Sequence, residues 1–139
     1  MDKAGILELL RFVLESITLI KRRFEDIGDS DDFLADDAGI DKLDAISMRL
    51  QSIGEAIKNI DKREPGLLLQ AADRLYWSKI IKTREILTHH YIDIDAQVIY
   101  EICAEKLDEL EKKVRRVWNI AQSQPSKNLQ LGQSGEKKH

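Results

Sequence analysis

A chain of 139 residues is long enough for one domain with a real core and too short for two. With 34 % charged residues, 42 % apolar residues, seven Gly and two Pro, the composition favours helix over sheet. A net charge of −3 excludes general attraction to nucleic acid, so a polyanionic partner would need a local basic patch or a small phosphate-binding cleft. No 18-residue apolar run is present to form a membrane-spanning helix. The opening MDKAGILELL is amphipathic without a signal-peptide layout, and a cytoplasmic location is expected.

Ile6, Leu9, Leu10, Val13, Ile17, Ile20 and Phe24 recur every three or four residues and predict a first helix, with Asp2 as its N-cap. The acidic stretch GDSDDFLADDAG, from Gly28, reads as a solvated loop with helix-capping aspartates. Its spacing does not fit a calcium-binding EF-hand loop, and no metal is expected. Leu43, Ile46, Leu50, Ile53, Ile57 and Ile60 predict a second long helix, stopped by Lys62-Arg63-Glu64-Pro65-Gly66 because proline lacks the amide the helix needs. Gly54 lies beside that stripe, where it costs about 1 kcal/mol relative to alanine, so a close approach by another helix is expected there. Glu55, next to it, faces either solvent or a neighbour.

A short helical piece over 67–75 leads into a third segment carrying Trp77, Ile80, Ile81 and Leu87. The last helix, capped by Asp93 or Asp95, has the stripe Ile99, Cys103, Leu107, Leu110, Val114, Val117 and Ala121. Cys103, the single cysteine, belongs to that stripe as a small hydrophobe. Residues 123–139 are polar and aperiodic, so a helical domain over 1–122 followed by a disordered tail is expected. The architecture is an all-α antiparallel bundle of four main helices with a short extra helix.

The stretch TREILTHHYIDID, 83–95, stands apart from these plain helices. His89, His90, Tyr91 and Ile92 are weak helix formers in a row, and a break is expected there. On an unbroken helix Arg84 and His89 would point about 140° apart with about 7.5 Å of rise. They serve one reaction only if the chain turns at His89 or if a second copy of the motif faces the first. An imidazole takes or gives a proton near neutrality, and a guanidinium holds a phosphate and stabilises charge developing on it. The pair suffices for RNA cleavage without a metal or cofactor, with Tyr91 stacking on a base or donating to phosphate. The blander alternative is an ordinary surface arginine, a satisfied histidine and a tyrosine at the core's edge. Lys112, Lys113, Arg115 and Arg116 either steer RNA or form a solvated C-terminal helix turn that complements the helix dipole.

WSKIIKTREILTHHYIDID, 77–95, resembles the signature of HepT-like toxins of the HEPN superfamily: Trp, then Arg-x-x-x-x-His-x-Tyr, then an acidic residue before the last helix. The matching positions are Trp77, Arg84, His89, Tyr91 and Asp95, with Asp32-Phe33-Leu34 and Leu50-Gln51-x-Ile53-Gly54-Glu55-Ala56 similar to the family's earlier segments. The resemblance spans about residues 3–120. It implies an HEPN-like homodimer with two Arg/His motifs facing a shared cleft, and a metal-independent endoribonuclease toxin of a type VII-like toxin–antitoxin pair, cleaving tRNA or mRNA. Arg84 and His89 would be catalytic, with Glu85, His90 and Tyr91 supporting. A minimal nucleotidyltransferase (MntA-like) antitoxin would neutralise it by adding AMP to Tyr91, since bulky negative groups would repel RNA phosphates. Glu85 stands where the family usually has Asn or Asp, and can pair with Arg84 and hold it from phosphate. Lys82 stands where a Gly is frequent. Two other functions fit the same sequence: a non-catalytic binding subunit of a nucleotidyltransferase, and a plain helical dimerisation module.

Overall fold

The structure, a computed structural model, describes residues 1–88 and 92–125. Helix α1 (Lys3–Phe24) starts as expected, the Asp2 carboxylate accepting from the Gly5 amide at 3.2 Å. Of its stripe, Ile6, Leu10, Val13, Ile17 and Ile20 are buried, and Leu9 and Phe24 are half-buried against the core.

The acidic stretch is a chain of caps. Asp29 and Asp32 form a reciprocal capping box on a 3₁₀ turn over Ser30–Leu34, and Asp36 accepts from the Gly39 amide at 2.8 Å to open helix α2 (Asp37–Arg63). Gly39 is needed there: a Cβ would fall 2.4 Å from the Asp32 carbonyl oxygen. Phe33 points inward from this turn and packs against Phe24 at 6.3 Å, while the Tyr100 hydroxyl donates to the Gly28 carbonyl at 2.8 Å. The loop is thus tied to the bundle at both ends.

All six predicted stripe residues of α2 are buried, and the helix ends before a turn whose Gly66 takes φ +96°. The short helix expected over 67–75 is instead a 3₁₀ turn, Leu68–Gln70, followed by helix α3 (Arg74–Thr88) capped by Asp73 on the Tyr76 amide at 2.8 Å. Asp73 ends the turn because its carboxylate competes for backbone amides. Buried Trp77 locks the junction by donating its indole N–H to the Leu68 carbonyl at 2.7 Å.

Helix α4 (Ile92–Glu101), a π turn (Ile102–Lys106) and helix α5 (Leu107–Ser123) form one column. The π turn explains a step in the stripe: Ile99, Cys103 and Leu107 follow at two successive intervals of four, and the wider turn keeps all three on one side. Cys103 is half-buried in this turn, and burial pushes its thiol up to about 12, so it is a hydrophobe rather than a nucleophile. The helix starts at Ile92, so Asp93 and Asp95 lie in its first turn rather than capping it.

Among the described residues there is no strand, and the four helical columns make the expected all-α bundle: α2 packs between α1 and α3, and α1 between α2 and α5. The last helix reaches Ser123, one residue past the expected domain limit. Residues 126–139, most of the expected tail, lie outside the described residues. No described helix is long and apolar enough to cross a membrane.

Candidate functional site

Helix α3 runs antiparallel to the α4–α5 column. Tyr76, in its first turn, lies under Lys113 of α5 with the ammonium 4.9 Å from the ring centre, while Thr83 and Ile86 line a groove opposite Val98 and Ile102. The break expected around His89 falls on residues 89–91, outside the described residues. His89, His90 and Tyr91, the expected catalytic, supporting and modification residues, lie outside the described residues. Asp95, the acidic residue of the motif, is buried at 6 % exposure.

Arg84 is on the last turn and a half of α3, facing α2. Its Nη1 donates to both carboxylate oxygens of Glu55, each at 3.0 Å, with the two side chains 33 % and 46 % exposed. Glu55 therefore turns to a neighbouring helix rather than to solvent. The carboxylate seen on Arg84 thus comes from α2, and Glu85, next to Arg84 in sequence, holds an exposed position of α3. Sequence reasoning missed Glu55 as a site residue, yet the signal was there. At Gly54 helix α3 comes into contact, with the Ile80 and Ile81 carbonyls and the Arg84 Cβ 3.5–3.6 Å from where its Cβ would be, so the residue after it reaches α3.

The two bonds from Arg84 to Glu55 use Nη1 alone. The Nε–Nη2 edge, which carries the paired donors that match two phosphate oxygens, stands outside the pair. On the other side of α3, a groove of about 510 Å³ separates it from the α4–α5 column; its floor is apolar, with Ile53, Ile80, Val98 and Leu110, and Lys79, Lys82 and Lys106 line it too. Burial, with Glu109 adding to it, raises the Tyr76 phenol well above its ordinary value, so it stays protonated.

The basic cluster does not end its helix. Lys112, Lys113, Arg115 and Arg116 sit near the middle of α5, whose last turn carries no basic residue, so complementing the helix dipole is not their role. Lys113 caps the Tyr76 ring and Arg115 donates to Glu111 at 3.3 Å. Among the described residues no three His, Cys, Asp or Glu side chains gather to hold a metal.

Comparison with known proteins matches the family described as Ribonuclease HepT-like over residues 13–117. The chain is 27 % identical over 108 residues to the Methanocaldococcus jannaschii protein named "Gamma-glutamylcyclotransferase and putative RNase", covering 78 % of this chain and 45 % of that one. It is 31 % identical over 68 residues to a "Putative RNase" of Caldanaerobacter subterraneus subsp. tengcongensis, covering 49 % and 57 %. A second M. jannaschii "Putative RNase" is 27 % identical over 73 residues, covering 52 % and 57 %. The chain spans about half the length of these curated relatives. No solved structure matches it. The family match alone covers well over half of the sequence, so the chain belongs to the HepT-like ribonuclease family of the HEPN superfamily.

Proposed function

We propose that the protein is an endoribonuclease toxin that cleaves RNA without a metal. The observation that carries this reading is Arg84: a guanidinium gripped through one nitrogen by Glu55, with its phosphate-matching edge outside that grip, five positions before the motif histidine in sequence. In this mechanism an imidazole, His89 by motif position, assists the ribose 2′-hydroxyl in attacking the adjacent phosphorus. The P–O5′ bond breaks, a protonated group supplies the leaving oxygen with a proton, and the products are a 2′,3′-cyclic phosphate and a 5′-hydroxyl. Arg84 stabilises the negative charge that grows on the phosphoryl oxygens. His90 and Glu85 support the site.

Arg84 lies near the end of α3 and His89 follows that helix in sequence, so a homodimer facing two such motifs across one cleft would give RNA a groove with both groups in reach. The same site suits control by a nucleotidyltransferase partner of the MntA-like kind. AMP added to Tyr91 would place phosphate charge beside Arg84 and exclude RNA.

The test is purified protein with tRNA and mRNA in EDTA. Wild type is expected to leave 2′,3′-cyclic phosphate ends, with Arg84→Ala and His89→Ala slowed at least about 100-fold while retaining the helical circular-dichroism signal. If wild type and both variants leave RNA equally intact, the ribonuclease reading is wrong. A second reading draws on the same contact: with Arg84 partly neutralised by Glu55, the chain would serve as a non-catalytic binding subunit of the nucleotidyltransferase. The RNA assay separates the two.

A further inference from the structure

We infer that Glu55 is a positioning residue of this site: without touching RNA, it sets the angle at which the Arg84 guanidinium meets the phosphate. The inference rests on the ribonuclease reading above and extends the site onto a second helix.

Both side chains start from fixed points. Ordinary van der Waals spacing between Gly54 and the Ile80–Arg84 stretch sets how far α2 stands from α3, and Glu55 and Arg84 leave the two backbones at that crossing. The Glu55 oxygens converge on one nitrogen, Nη1, each at 3.0 Å. A guanidinium is planar, so anchoring one nitrogen from α2 fixes the plane and the direction of the opposite edge. A half-exposed ion pair of this kind adds little to stability, since solvent screens it and ordering two long side chains costs entropy. What it does supply is orientation. An arginine side chain left to itself samples many rotamers, and a displacement of about 1 Å at a catalytic group is enough to cost about 100-fold in rate.

The same pair has an opposite possible consequence, because the carboxylate offsets some of the arginine's charge. If Glu55 were a lock, removing it would free Arg84 and speed cleavage. If it positions Arg84, removing it slows the chemical step. The two predictions differ in sign.

The experiment is steady-state RNA cleavage in EDTA by wild type, Glu55→Gln, Glu55→Ala, Arg84→Ala and the Arg84→Ala/Glu55→Gln double variant, with thermal unfolding of each. Glu55→Gln keeps the size of the side chain and is the variant that guards against misfolding. Positioning predicts that kcat falls about 10- to 100-fold with KM within about threefold, because Arg84 acts mainly on charge that develops in the transition state. It predicts an unshifted melting temperature for Glu55→Gln and a double variant no slower than Arg84→Ala alone. Added guanidinium should partly restore Arg84→Ala, where Glu55 can still hold it, and should not restore the double variant. Glu55→Gln cutting at or above the wild-type rate, or losing rate through KM alone, overturns the inference while leaving the ribonuclease reading in place. Wild type that leaves RNA whole overturns both.

Discussion

Helices α1 and α3 differ in how completely their apolar residues are covered. On α1, Ile6, Leu10, Val13, Ile17 and Ile20 have no solvent exposure, enclosed by α2 on one side and α5 on the other. On α3, Trp77 and Leu87 are buried, yet Leu75 and Ile86 stand 63 % and 51 % exposed, and a groove of about 510 Å³ opens toward the α4–α5 column. A stripe enclosed by two neighbours is fixed by packing alone. A helix with one fully packed side is free to place Arg84, Glu85, Lys79 and Lys82 where a ligand can meet them. On the proposed function, stability and chemistry are divided between two parts of the same bundle, and substitutions in each should fail in different ways.

The largest effect is expected in the closed part. Phe33→Ala removes a fully buried ring packed against Phe24 and should cost about 3–5 kcal/mol in urea unfolding, whatever happens to RNA cleavage per folded molecule. Arg84→Ala should do the reverse, losing cleavage with stability changed by less than about 1 kcal/mol. If Arg84→Ala proved as destabilising as Phe33→Ala, the division would be wrong.

Much of this was legible in the sequence for a physical reason. Ile6 to Ile20, Leu43 to Ile60 and Leu107 to Ala121 are amphipathic stripes, and burying a stripe is what folds a bundle, so period and fold are the same information. The caps at Asp2, Asp29 and Asp36 were legible too, since a carboxylate before a helix has few better uses than its free amides. The short helix over 67–75 was misplaced because propensity does not register that Trp77 would bond the Leu68 carbonyl, a tertiary contact across the turn. The partner of Arg84 was illegible for a similar reason. Glu55 and Arg84 lie 29 positions apart, and only the crossing of two helices joins them. Glu85 was the nearer candidate in sequence, and nothing in the sequence paired Arg84 with a second carboxylate on another helix.

Trp77 offers the next sharpest probe, because it fastens the open helix to the closed part. Trp77→Phe keeps an aromatic ring but removes the donor to a carbonyl in a buried setting, at an expected cost of about 1–3 kcal/mol. Gly54→Ala should act the other way. A methyl there meets the Ile80 carbonyl at 3.5 Å, an ordinary contact, so helix propensity should stabilise the protein by up to about 1 kcal/mol and cleavage should stay within about twofold. A loss of both stability and cleavage would mean that the α2–α3 spacing at the site is tighter than these distances allow.

The smallest expected effect separates two ion pairs of similar appearance. Lys21 ties α1 to α5 through Asp108 at 2.5 Å and Glu111 at 2.7 Å; these bonds raise the Lys21 ammonium, with Asp108 the larger cause, and its hydrogen bond lowers the Glu111 carboxyl. A lowered carboxylate stabilises the fold above its unfolded pKa, and that contribution is lost as pH falls through the folded value, below the ordinary carboxylate range. A raised ammonium stabilises it fully below the unfolded pKa and ceases to do so as pH rises through the folded value, above the ordinary lysine range. Lys21→Met should therefore be less stable than wild type between those limits and converge with it at the acid end. Because Lys21 is 38 % exposed, screening reduces the Lys21–Glu111 part to on the order of 0.5 kcal/mol, with fully exposed Asp108 left out of that figure. Unfolding free energies from pH 3 to 8 measure the gap directly. The trunk pair should be visible in that curve and invisible in kcat, whereas the Glu55–Arg84 pair should be visible in kcat and nearly invisible in the curve. Finding both pairs in the same measurement would show that α3 is held together by the same interactions as α1, and that its open side has no separate task.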